Sequence, residues 1–341
     1  MSTTDLAAVA QAMVAPNKGI LAADESTATI GKRFAGQGIE STEENRRTYR
    51  HILLSTPGLE EYISGVILYD ETIRQKDDDG LPFAKLLADK GILPGIKVDT
   101  GAKDLARAPG EKITEGLDGL RDRIAEYVDL GAKFAKWRAV ITIGDAIPSD
   151  YCIHANAHAL ARYAALCQVG GLVPIVEPEV LMDGDNDIDV CYDVTVRTQR
   201  EVFSQLARQQ VELSEMVLKP NMVISGKKSA TQASPEEVAE KTLKCLYHTV
   251  PAAVPGIAFL SGGQSAEEAT LHLDLMAKMG PHPWQLTFSY GRALQDIALR
   301  TWKGEADNVG KAQKVFSHRS TLTSAARSGG YSEDMEGSEG G

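Results

Sequence analysis

The chain is poor in cysteine, histidine and surplus positive charge, and it has no long apolar run. Each shortage excludes something. The four cysteines, Cys152, Cys167, Cys191 and Cys245, form no C-x-x-C pair and no metal-ligand spacing, so buried thiols in a reducing compartment are the simplest reading. A net charge of −11 argues against a nucleic-acid surface, while leaving room for a local basic pocket that recruits an anionic metabolite. No stretch approaches the ~20 apolar residues of a membrane span. The opening Met-Ser-Thr-Thr-Asp-Leu has no basic region followed by an apolar run. A soluble cytoplasmic protein is expected, with neither nucleic acid nor membrane as partner.

Metal motifs fail as well. Asp183-Gly184-Asp185-Asn186-Asp187 opens like a calcium loop, but position six is Ile188 instead of Gly and position twelve is Val194 instead of Glu. His154 and His158 are four apart on an expected helix, yet no third ligand is evident and an ordinary helix face is the better reading.

What the chain does have is alternation. Short β-rich runs at 19–24, 65–70, 93–99, 132–138, 172–180, 216–221, 256–263 and 285–291 are separated by helical patterns at 43–54, 82–90, 115–129, 149–168, 189–210, 235–248 and 266–278. A helix at about 5–14 precedes the first strand, and 292–303 follows the last. Eight strands with helical crossovers are the count of a closed (β/α)8 TIM barrel. We therefore expect one barrel domain over 1–321, with an extra N-terminal helix, and a mobile tail rich in Gly, Ser and Glu over 322–341.

In this architecture the chemistry sits at the C-terminal ends of the strands. The first strand ends in Asp24-Glu25-Ser26, and the third carries Lys97 and Asp99. The fourth carries Lys136 and Arg138, the fifth Glu177 and Glu179, and the sixth Lys219 and Asn221. Positions two apart in a strand share a face, so Lys136 projects with Arg138 and Glu177 with Glu179. Mixed charges in one cavity push pKa values apart, which gives an acid, a base and a nucleophile in close quarters. Lys219 stands out within Met216-Val217-Leu218-Lys219-Pro220-Asn221-Met222, because desolvation drives a lysine towards the neutral amine that attacks a carbonyl. The last two strands end in Ser261-Gly262-Gly263 and Ser289-Tyr290-Gly291-Arg292, where glycines and a helix start suit a phosphate. Arg292 adds a planar fork.

Eight motifs in order resemble the class I, Schiff-base fructose-bisphosphate aldolases: Gly-Ile-Leu-Ala-Ala-Asp-Glu-Ser at 19–26, Thr-Glu-Glu-Asn-Arg-Arg at 42–47, Gly-Ile-Lys-Val-Asp at 95–99, Phe-Ala-Lys-Trp-Arg at 134–138, Ile-Val-Glu-Pro-Glu at 175–179, Leu-Lys-Pro-Asn-Met at 218–222, Phe-Leu-Ser-Gly-Gly-Gln-Ser at 259–265 and Leu-Thr-Phe-Ser-Tyr-Gly-Arg-Ala-Leu-Gln at 286–295. The resemblance implies reversible cleavage of fructose 1,6-bisphosphate to dihydroxyacetone phosphate and glyceraldehyde 3-phosphate, with no metal or other cofactor. It makes Lys219 the imine-forming lysine and Glu177 the general acid and base, with Asp24, Lys136 and Glu179 tuning and relaying protons. Ser261, Gly262, Gly291 and Arg292 would hold the ketone-side phosphate, with Ser289 a further substrate or phosphate contact. Ser26, Thr29, Arg33, Lys97 and Arg138 would hold the other. A homotetramer is also implied.

Two departures are visible. The first strand-end loop reads Ser26-Thr27-Ala28-Thr29 where the family often has Ser-Thr-Gly-Ser. Many relatives end in a tyrosine that assists enamine protonation, whereas this chain ends in Gly341 and Tyr331 is the tail's candidate for that contribution. The competing readings are another Schiff-base barrel acting on fructose 1-phosphate, sedoheptulose 1,7-bisphosphate or a transaldolase-like donor, and a scaffold that kept the barrel without turnover. A zinc-dependent aldolase fails for want of a histidine cluster.

Overall fold

A computed structural model describes residues 5–337 of the 341. Eight parallel strands form the barrel: β1 (Gly19–Ala23), β2 (Ile63–Leu68), β3 (Leu93–Lys97), β6 (Phe134–Ile141), β7 (Val173–Val180), β8 (Val217–Leu218), β9 (Gly256–Phe259) and β10 (Gln285–Tyr290). They are neighbours in chain order, and β10 pairs back to β1 with Ser289 opposite Ile20. Between β3 and β6 an antiparallel hairpin, β4 (Gly101–Asp104) and β5 (Lys112–Glu115), stands outside the barrel.

The helical layer runs α1 (Leu6–Met13), α2 (Thr27–Ala35), α3 (Glu43–Ser55), α4 (Asp70–Arg74), α5 (Phe83–Asp89), α6 (Leu120–Asp129), α7 (Asp150–Val169), α8 (Ile188–Arg208), α9 (Pro235–Thr249), α10 (Ala266–Lys278), α11 (Arg292–Trp302) and α12 (Val309–Ala326). Its starts are chemically marked. Ser26, Thr42, Ser149, Asp187, Ser234 and Ser265 each accept a hydrogen bond from the third residue onward, and Glu268 completes a capping box with Ser265.

The strands are buried on both sides, as a barrel wrapped in helices requires. Trp137 points outward from β6 and stacks on Tyr163 of α7 at 5.5 Å, while its neighbours Lys136 and Arg138 point inward. The bottom of the barrel is apolar. Leu6, Ala10, Met13 and Val14, from α1 and the turn after it, pack with Ile20, Ile67, Phe134, Val173, Ile175, Val217 and Ala258. The Phe134 ring presses so closely on Gly95 that a Cβ there would lie 2.2 Å from it. Only glycine fits that position.

Strand β8 is shorter than the run at 216–221 suggests. Pro220 has no N–H to give to a ladder, and the pairing is completed by Lys219 N donating to Val176 O at 2.8 Å and by the Asn221 side chain accepting from Val180 N at 2.9 Å. The helix expected from 115 begins only at Leu120, since residues 112–115 form β5 and Gly116 and Gly119 take positive φ.

The tail boundary at 322 also needs correcting. That position lies inside α12, where Leu322, Thr323, Ser324 and Ala326 are buried. Beyond the helix, the Arg327 guanidinium donates to the carbonyls of Val14, Ala15, Lys18 and Leu286, and so joins the C-terminal region to the base of the barrel. A short 3-10 turn, Glu333–Gly337, follows, and 338–341 of the expected tail lie outside the described residues.

Candidate functional site

The strands open onto a cavity of about 780 Å³ at their C-terminal ends. It is lined by all five residues expected to be catalytic, Asp24, Lys136, Glu177, Glu179 and Lys219, and by all ten expected to meet phosphate, Ser26, Thr29, Arg33, Lys97, Arg138, Ser261, Gly262, Ser289, Gly291 and Arg292. Three strands make the same step within two residues on one face. Phe134, Ile175 and Val217 belong to the apolar base, and Lys136, Glu177 and Lys219 follow them into the cavity.

These groups form a row of alternating charge. Lys219 Nζ lies 3.1 Å from Glu177 Oε1, Glu177 Oε2 lies 3.2 Å from Lys136 Nζ, and Lys136 Nζ donates to Asp24 Oδ2 at 2.9 Å. All four are almost out of solvent, so each charge is held by its neighbours. Burial alone would raise the Asp24 pKa, but the charges of Lys136 and Lys219 outweigh it and hold this carboxyl well below its usual range. Burial likewise opposes the Lys136 ammonium, and the carboxylates of Asp24, Glu177 and Asp99 reverse the effect, keeping it charged. A carboxylate between two amines at hydrogen-bonding distance is able to exchange a proton with either. Ser289 Oγ is buried without a protein hydrogen-bond partner, and Glu177 Oε2 is met by its ion pair with Lys136 alone.

On one side of this row, Ser261 and Gly262 follow β9, while Gly291 caps α11 and Arg292 opens it. A Cβ on Gly262 would lie 3.1 Å from Glu179 Oε1, so the loop backbone runs against the acid cluster. On the other side Ser26 caps α2, Thr29 Oγ1 lies 3.1 Å from Ser26 Oγ, and Arg33 projects from the same helix. The departure at 26–29 is thus the first turn of a helix, a setting that accepts Ala28 in place of glycine. Lys97 pairs with Asp99 at 2.6 Å, and Arg138 is held by Glu179.

Tyr331 is placed elsewhere. It is not among the cavity-lining residues: it is buried, and its hydroxyl donates to Glu336 Oε1 at 2.8 Å. The sequence reading gave no role to Glu25, Arg50 and Gln295, which form a buried group behind Arg33. Arg50 lies beside Tyr49, Ile52 and Leu53 on the buried face of α3, and that apolar neighbourhood is the signal in the sequence. His154 meets Glu201 on the outer surface at 2.9 Å. Among the described residues no group of three or more His, Cys, Asp or Glu is arranged to hold a metal ion, and no helix is long and apolar enough to cross a membrane.

Residues 5–341 match the family model for class I fructose-bisphosphate aldolase. The chain belongs to the class I fructose-bisphosphate aldolases. A probable class 1 fructose-bisphosphate aldolase of Xanthomonas campestris is 63% identical over 320 residues, covering 94% of this chain and 96% of that one. The cytosolic fructose-bisphosphate aldolase 4 of Arabidopsis thaliana is 51% identical over 339 residues, covering 99% and 86%. A solved Plasmodium falciparum fructose-bisphosphate aldolase, in complex with TRAP and a small-molecule inhibitor, superposes with a TM-score of 0.95 at 49% identity, covering 96% of this chain and 95% of that one. Members of the family are lyases that cleave fructose 1,6-bisphosphate reversibly in glycolysis, and the lysine Schiff base is characteristic of class I. The family is metal-independent and acts on phosphorylated sugars, and this aldolase is a (β/α)8 lyase.

Proposed function

We propose that Lys219 is the lysine that forms the Schiff base, that Glu177 is its acid and base, and that Lys136, Asp24 and Glu179 hold and relay protons around it. The supporting observation is the Lys219, Glu177, Lys136, Asp24 row, with its three separations of 3.1, 3.2 and 2.9 Å. The free-amine form of Lys219 adds to the C2 carbonyl of the open-chain ketose. Glu177 supplies the proton with which the C2 oxygen leaves as water, and the iminium accepts the electron pair of the C3–C4 bond. The C4 hydroxyl gives its proton to the Glu177 carboxylate, and glyceraldehyde 3-phosphate departs. Protonation of the enamine at C3 and hydrolysis then release dihydroxyacetone phosphate and the free lysine.

Binding at both ends orients the breaking bond. Ser261, Gly262, Ser289, Gly291 and Arg292 take the ketone-side phosphate, with the α11 N-terminus adding its dipole. Ser26, Thr29, Arg33, Lys97 and Arg138 take the other. The enzyme works without a metal, in the cytoplasm, as a homotetramer.

The test is borohydride trapping with dihydroxyacetone phosphate in the presence of a chelator, followed by peptide mapping. An adduct on Lys219 supports the assignment. An adduct on another lysine, or activity that the chelator abolishes with no adduct at all, overturns it.

A further inference from the structure

At the edge of the second phosphate position lies a nearly buried carboxylate, itself part of the cavity wall, to which neither the sequence motifs nor the reaction steps give a role. Glu25 follows Asp24 at the end of β1, and its side chain is 6% exposed. Its two oxygens are met from three helices. Oε1 accepts from Arg33 of α2 at 2.5 Å and from Gln295 of α11 at 3.0 Å, and Oε2 accepts from Arg50 of α3 at 2.7 Å.

The two arginines differ in what they can reach. Arg50 is 3% exposed and does not line the cavity; Arg33 is 21% exposed and does. One carboxylate between two guanidinium groups leaves a net positive charge, and only Arg33 can present it to a ligand. Arg50 therefore serves as the fixed counterion of Glu25, so that Glu25 holds Arg33 in place without cancelling its charge. The carboxylate is itself immobilised. Gln295 Nε2 also donates to Ala22 O at 2.5 Å, while Gln295 Oε1 accepts from the Tyr49 hydroxyl at 3.2 Å. This ties the carboxylate to strand β1 and to the helix that begins with Arg292.

We propose that Glu25 is the positioning residue for Arg33, and that this buried Glu25, Arg50 and Gln295 group sets the preference for two-phosphate over one-phosphate ketoses. The inference rests on the reading of Arg33 as a contact of the second phosphate. A long side chain free to rotate loses much of its binding contribution in becoming ordered; one already held at a rigid wall loses less.

Steady-state kcat and KM are measured with fructose 1,6-bisphosphate and fructose 1-phosphate for the parent, Glu25→Gln, Arg33→Gln and the double variant. The ratio of kcat/KM between the two sugars is expected to fall by about tenfold in Glu25→Gln, carried by KM for the bisphosphate, with Glu25→Gln/Arg33→Gln no worse than Arg33→Gln alone. Since Glu25→Gln leaves Arg50 buried without a counterion, Glu25→Gln/Arg50→Gln is made in parallel, and borohydride adduct formation verifies an intact barrel. It should show the same loss of discrimination. A ratio unchanged in both Glu25 variants, while Arg33→Gln collapses it, overturns the inference alone. A ratio unchanged in Arg33→Gln overturns the reading of Arg33, and the inference with it.

Discussion

The two ends of the barrel are built from the same strands and follow opposite rules. At the base, Phe134, Ile175 and Val217 are fully buried among apolar neighbours and α1. Two residues further along the same inward faces, about 7 Å of strand, Lys136, Glu177 and Lys219 are almost equally buried but charged. Burial alone therefore does not distinguish the two regions. The distinction is what each buried group requires of its neighbours: shape complementarity at the base, and a partner of opposite charge at the mouth. Damage at the base should therefore appear mainly as lost stability, and damage at the mouth as lost turnover.

The largest effect is expected from Lys136→Met, which should produce both kinds of damage. It removes the cation that pairs with both Asp24 and Glu177, leaving Asp24 without an ion-pair partner and Glu177 with Lys219 alone. Breaking such a buried network costs about 3–5 kcal/mol, and the loss of proton relay should lower kcat by about 10²–10⁴-fold. Urea unfolding and steady-state kinetics read the two losses separately. A variant with parental stability and a kcat within tenfold of the parent would show that the mouth does not depend on paired charge.

Gly95→Ala probes the other end. Its Cβ would sit 2.2 Å from the Phe134 ring, a side chain with no exposed surface and no room to withdraw. Overpacking of this kind costs about 1–3 kcal/mol, read as a lower urea midpoint, while kcat per folded molecule should remain within twofold of the parent. A fall in kcat of more than tenfold at unchanged stability would erase the division between base and mouth.

Much of this organisation was legible in the sequence for a physical reason. Parallel strands and their crossover helices alternate in composition, and inward positions recur every second residue, so charge at 136 and 138, at 177 and 179, and at 219 pointed into one cavity. What stayed hidden was polarity satisfied locally. The β4–β5 hairpin consists of two four-residue strands rich in charge and largely outside the core, and it carries little apolar alternation. Helix α2 begins in Ser26-Thr27-Ala28-Thr29, which reads as a loop until the cap is seen. The end of α12 looked like tail because it is polar, yet Thr323 donates to Arg319 O and Ser324 to Asn17 O, and Arg327 gathers four carbonyls. Buried polar groups answered by backbone acceptors leave no signature in composition. Tyr331 belongs to the same region, its backbone N–H bonded to Asp274 and its hydroxyl to Glu336.

The smallest effect sharpens the comparison by asking how the helical layer supports the mouth. His272 of α10 is buried, and its Nδ1 lies 2.6 Å from Gln264 Oε1, in the loop that begins with Ser261 and Gly262. Burial depresses its pKa from 6.5 to about 4, only partly offset by the carboxylates of Glu268 and Glu236. The unfolded chain therefore takes up a proton at this histidine before the folded protein does. Its contribution is complete above pH 6.5 and is lost as pH falls towards 4, by at most about 3 kcal/mol at 1.36 kcal/mol for each pKa unit. His272→Asn keeps an N–H donor for Gln264 and removes the titration. Groups that titrate in both proteins cancel in the difference, so the parent's stability measured by urea unfolding should fall relative to the variant between pH 6.5 and 4, and run parallel to it above 7. Parallel curves over the whole range would mean that the pocket around His272 accommodates the charged ring, and that the Gln264 contact supports the phosphate loop through packing.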